Sequence, residues 1–89
     1  MTDLEKLENI TKALARLLYW TERTNAAILS NESPFVPYNI GAGYACELEK
    51  EKLRAGWEFC EHLNWAQVMK SARQMAAKQR KQEIKNGSY

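Results

Sequence analysis

The sequence predicts an all-α protein: a three-helix domain with a long N-terminal amphipathic helix, an ordered Pro/Gly loop and two further helices, associating with copies of itself. Three observations carry this. Leu4, Leu7, Ile10, Leu14, Leu17, Leu18 and Ile28 recur at spacings of three and four, apart from one gap, the period of a helix and not of a strand. Two later apolar patterns, within residues 44–63 and 65–84, keep that period. Between the first pattern and the second lie Pro34, Pro37, Gly41 and Gly43, which punctuate helices.

The first helix is expected over residues 2–30. Thr2 stands three residues before Glu5, the spacing at which a hydroxyl and a carboxylate each satisfy a free backbone N–H. Asp3 adds negative charge at the positive end of the helix dipole. Asn31, Ser33 and Pro34 end the pattern, since proline disfavours a helical residue before it. With Ala13, Trp20 and Ala27 on its flank, the apolar stripe covers about 220°, against about 100° for a helix packed on one neighbour. Two elements, or one element and a second copy of the chain, must cover it, so self-association is expected through this helix.

Residues 31–43 read as a loop, and Phe35, Val36, Tyr38 and Ile40 make it too apolar for a solvated linker. It is expected to be ordered, covering an open end of the core or meeting a partner. The second helix is expected over 44–63. Ala45, Leu48, Leu53, Gly56, Trp57, Phe59, Cys60 and Leu63 form its apolar side, and Glu47, Glu51, Arg54, Glu58 and Glu61 its polar one. Arg54 can pair with Glu51 or Glu58, and Glu49 with Lys52. Gly56 in mid-helix costs about 1 kcal/mol relative to alanine, and a close approach of another helix beside Trp57 would account for it.

The third helix is expected over 65–84, with Asn64 as N-cap and Gln67 three residues on. Its apolar face, Trp65, Val68, Met69, Ala72, Met75 and Ala76, is about 160° out of phase with that of the second helix at 100° per residue. A break near Asn64 lets both faces meet one core. The apolar face ends after Ala77, so residues 1–77 are expected to form the domain and 78–89 a basic, solvent-exposed extension.

Charge is unevenly placed. Residues 1–64 carry a net −3 and residues 65–89 a net +5, giving +2 for the chain. No apolar run of 18 residues occurs, so no membrane span is expected. Met-Thr-Asp-Leu-Glu lacks the basic start and apolar core of a signal peptide, and a cytoplasmic location is expected. Cys46 and Cys60, 14 residues apart, are expected to be small buried hydrophobes.

Catalytic constellations are scarce. His62 is the lone histidine and Asp3 the lone aspartate of the first 89 residues. His62 suits a helix end or solvent better than a general base. A one-chain zinc site lacks ligands, and no phosphate-binding glycine pattern appears. No enzyme activity, cofactor or metal is expected. The expected function is that of a small helical interaction protein, an accessory regulator or inhibitor of the kind mobile elements often encode, binding a protein partner. That last step rests on class alone. The candidate partner-binding residues are Tyr19, Arg16 and Arg23, an aromatic among arginines on the polar face of the first helix, with Phe35 and Tyr38 in the loop. The alternative is nucleic-acid binding through a helix-turn-helix-like region at 44–82. Gln67, Lys70, Arg73 and Gln74 would then lie on the reading helix, and Lys78, Arg80, Lys81 and Lys85 would neutralise phosphates.

Overall fold

The computed structural model describes the backbone of residues 2–30 and 38–85, and the side chains of 2–23 and 43–85. The chain folds as α1 (Asp3–Ser30), α2 (Tyr38–Ala55), α3 (Trp57–His62) and α4 (Trp65–Lys85). No strand occurs among the described residues, so the all-α expectation holds, with four helices where three were expected. None of them is long and apolar enough to cross a membrane.

The long N-terminal helix starts as its sequence signals. The Glu5 backbone N–H donates to Thr2 Oγ1 at 3.2 Å, and the Lys6 N–H to the Thr2 carbonyl at 3.0 Å. Both α2 and α4 pack along α1, while their backbones do not pack on each other. This arrangement explains the wide apolar arc: two helices of the same chain cover it, so the arc alone does not call for a second copy.

The core is Ile10, Ala13, Leu14 and Ala15 of α1, Leu48 and Ala55 of α2, and Val68 and Ala72 of α4. Leu7, Leu17, Leu18, Phe59, Cys60, Leu63 and Met69 pack around it, partly buried. Among the described residues alanine makes up half of the ten buried apolar ones, and Ile10 is the large side chain that is fully buried. Small residues let helices approach closely but remove little apolar surface from water, at about 25 cal/mol per Å².

Two boundaries differ from expectation. The second helix begins at Tyr38, not at residue 44. Gly41 and Gly43 lie inside it, at about 1 kcal/mol each relative to alanine, and a proline directly before a helix is well tolerated because the first turn uses no N–H there. Tyr38 thus belongs to a helix and not to the loop. Phe35, Val36 and the rest of residues 31–37, with the order expected of them, lie outside the described residues, as does the side chain of Tyr38.

The helix then ends at Ala55, because Gly56 takes φ 93 and ψ 151. That conformation is essentially reserved for glycine. A Cβ on Gly56 would meet nothing within 4 Å. The residue is there for its backbone, and the expected close approach of another helix is corrected. The break also puts Glu58 beyond the reach of an in-helix pair with Arg54, which bonds Glu51 at 2.7 Å instead. Around the corner, Cys60 Sγ donates to the Lys52 carbonyl at 3.6 Å, and the Trp65 indole N–H to the Cys60 carbonyl at 3.0 Å. The expected break at Asn64 is present: Leu63 is extended, and Asn64 Oδ1 accepts the Gln67 N–H at 3.3 Å.

Because open space surrounds Gly56, substitution there tests backbone strain alone. Gly56→Ala is expected to destabilise the fold by about 1–3 kcal/mol, read as a lower midpoint in urea with an unchanged slope. Wild-type stability in that variant would refute the role given to the glycine.

Candidate interaction surface

Of the residues singled out on α1, Arg16 is exposed and Arg23 partly so, but Tyr19 is not. Tyr19 is buried, 6% exposed, and its hydroxyl donates to the Glu83 carboxylate of α4. Arg23 lies 3.6 Å from the same carboxylate and stacks its guanidinium over Trp20 at 5.0 Å. Arg80 reaches Glu83 at 3.4 Å from one turn earlier in α4. Arg16 bonds Glu47 of α2. The trio is therefore an interhelical clamp, and the reading of Tyr19 as an exposed contact residue is corrected. The cause is the length of α4. Residues 78–85 continue the helix as expected, and most are exposed, but Arg80 and Glu83 turn back toward α1. Glu83 falls on the core phase, where an apolar residue would be expected, and the Tyr19 hydroxyl is its partner.

Electrostatics follow from this geometry. Burial raises the Tyr19 phenol above its ordinary 10.0, and the bond to Glu83 adds to the shift. That bond, with Arg23 and Arg80 nearby, lowers the Glu83 carboxyl below 4.5 against the opposing effect of burial.

A different set of side chains is uncovered. Leu53 at the end of α2 is 69% exposed, and Trp57 at the start of α3 is 78% exposed. With Trp65, Cys60, Glu49, Lys52 and Glu61 they line a cleft of about 320 Å³. The Lys52 ammonium lies 5.1 Å from the Trp65 ring and 3.3 Å from Glu49, which fixes one wall. Gly56 builds this cleft by turning Trp57 outward while Phe59 turns inward, beneath the Lys6 ammonium at 5.5 Å. Sequence reasoning placed Trp57 on the apolar side of an unbroken helix and missed it. A glycine in the middle of an apolar stripe was the available signal. Apolar walls with carboxylates at the rim can accept an apolar side chain of another protein and hold a cation beside it.

The candidates for phosphate contact all lie on α4. Gln67, Lys70, Arg73, Gln74, Lys78, Lys81 and Lys85 are exposed, while the side chain of Arg80 is 13% exposed and turned to Glu83. The first helix of the expected helix-turn-helix-like region is interrupted at Gly56, so a helix of only six residues, α3, precedes α4, and the Trp65 indole joins the two across the extended Leu63. Cys46 is exposed and Cys60 half-buried, so the expectation of two buried thiols fails for Cys46. His62 is exposed at the end of α3. Among the described residues no three His, Cys, Asp or Glu side chains gather to hold a metal.

The clamp makes a pH-dependent prediction. Glu83 holds its proton less tightly in the folded chain, so its contribution is complete above pH 4.5 and is lost as pH falls through the lowered folded value. Tyr19 behaves oppositely: its contribution is complete below pH 10.0 and is lost as pH rises through the raised folded value. Tyr19→Phe is expected to cost about 1–3 kcal/mol at pH 7, and Glu83→Gln to flatten the acid limb of stability against pH. Denaturant titrations from pH 3 to 7 would decide, and unchanged limbs in both variants would remove the clamp. No protein-family model, curated protein sequence or solved structure matches this chain.

Proposed function

We propose that the protein is a non-enzymatic helical interaction protein, an accessory regulator or inhibitor that binds a protein partner and also associates with its own copies in the cytoplasm. The observation that carries this reading is the uncovered Leu53–Trp57–Trp65 surface. Tryptophan is the residue most enriched where binding energy concentrates, and such residues sit in apolar patches with a polar rim. Here Glu49 and Glu61 stand at the rim.

Trp57 packs on so little of its own chain that its removal separates binding from folding. Trp57→Ala is expected to leave stability within about 0.5 kcal/mol of wild type, as exposed sites do. It should weaken partner binding at least about tenfold, as loss of a hot-spot residue does. Affinity capture from the native host, with nuclease present, would compare wild-type, Trp57→Ala and Leu53→Ser baits. A protein retained by wild type and lost from both variants is the expected result, and identical recoveries from all three would overturn the reading. Light scattering after size exclusion tests self-association, and a mass of 10.3 kDa at tens of micromolar would remove it.

A further inference from the structure

We propose that the outward face of α4 is a docking strip for a nucleic-acid backbone, engaging phosphates and not base edges. This goes beyond the protein-binding reading and uses a different surface. It starts from where the charges find partners. On α1 and α2 most cations are paired within the fold: Lys6 with Asp3, Arg16 with Glu47, Arg23 with Glu83, Lys52 with Glu49 and Arg54 with Glu51. On α4 the pattern reverses. Arg80 is paired, whereas Lys70, Arg73, Lys78, Lys81 and Lys85 have no ion pair among the described residues. Glu83 is the sole acid of the helix, and it is turned onto α1.

Position on the helix sharpens this. At 100° per residue, Lys70, Arg73 and Lys81 lie at least about 100° from the centre of the buried stripe of Val68, Ala72 and Ala76. Lys78 lies at the edge of a shallow cleft that also contains Glu8, so the strip is assigned to the other three. From Lys70 to Lys81 the rise is about 16 Å, the length of about five nucleotides of one strand at 3.4 Å each. A straight, acid-free row of cations suits a linear polyanion. A membrane surface fits less well, because a helix lying in a bilayer interface needs a continuous exposed apolar face, and on α4 the continuous one, Val68, Ala72 and Ala76, is buried, leaving Trp65, Met75 and Ile84 exposed singly. Base readout lacks support because the helix that precedes α4 has only six residues.

The test is fluorescence anisotropy of labelled DNA duplexes of two unrelated sequences, titrated with the full chain at 50 and 200 mM salt. Three phosphate contacts give a slope near −2.7 in log affinity against log salt, so binding should weaken about 40-fold between those concentrations and differ less than about threefold between sequences. The variant Lys70→Gln, Arg73→Gln, Lys81→Gln should lose at least about tenfold in affinity at 50 mM while keeping its helical circular dichroism and its protein capture. Lys12→Gln with Lys50→Gln, a control that removes two exposed cations elsewhere, should change affinity less than about threefold. Absence of binding at 50 mM, equal binding by the strip variant, or tenfold discrimination between sequences would each overturn the proposal. So would binding to vesicles containing phosphatidylserine without binding to duplex.

Discussion

The fold depends on α1 serving as the common support for two helices that do not pack on each other. Its apolar arc is wide enough for both, and each is fastened by polar contacts as well as by burial. On the α2 side, Leu48 enters the core and Glu47 bonds Arg16. On the α4 side, Val68 and Ala72 enter the core, Ala76 is fully buried, and about two turns further on Glu83 closes the contact through Tyr19. Alanines at the contact give close approach but little area. A half-buried carboxylate with a phenol and two guanidiniums around it then helps to fix the register of α4 on α1.

A clamp of this kind has a consequence for the surface. It turns the one acid of α4 inward, and Arg80 with it, so the outward charge of α4 is entirely positive. The acids of α2 are drawn into pairs with neighbouring cations, and Glu58 and Glu61 of α3 remain exposed. The molecule thus presents two chemically distinct surfaces: an aromatic cleft with carboxylates at its rim and a cationic strip. Both arise from how charges are consumed in holding three helices together.

The corner at Gly56 decides the first of those surfaces. One residue with positive φ separates α2 from α3, directs Phe59 inward and leaves Trp57 in solvent. The Trp65 indole and the Cys60 thiol satisfy carbonyls across that corner, so the turn is hydrogen-bonded on both sides. An unbroken helix through residue 56 would have aligned Trp57 with the apolar stripe and removed the cleft.

Much of the fold was legible from local chemistry. The period of Leu4 to Leu18 gave α1, the spacing of Thr2 and Glu5 gave its start, and the phase shift between Leu63 and Trp65 gave the break that Asn64 caps. Such features depend on neighbours within a turn or two, and the chain encodes them directly. What sequence reasoning could not supply was the meaning of residues whose partners lie far along the chain. Tyr19 looked exposed because its partner, Glu83, is 64 positions away, and Glu83 looked like the end of a core pattern because its partner is a phenol and not a methyl group. Gly56 looked like an interior glycine because propensity records only its cost in a helix, not the positive φ that the packing of α3 on α2 selects. The sequence by itself determined that this protein is helical, where α1 and α4 start and stop, and that its positive charge gathers at one end. Tertiary structure alone decided which polar residues are consumed in the clamp and which tryptophan is left uncovered, because burial and pairing are set by contacts between helices, which no local pattern contains.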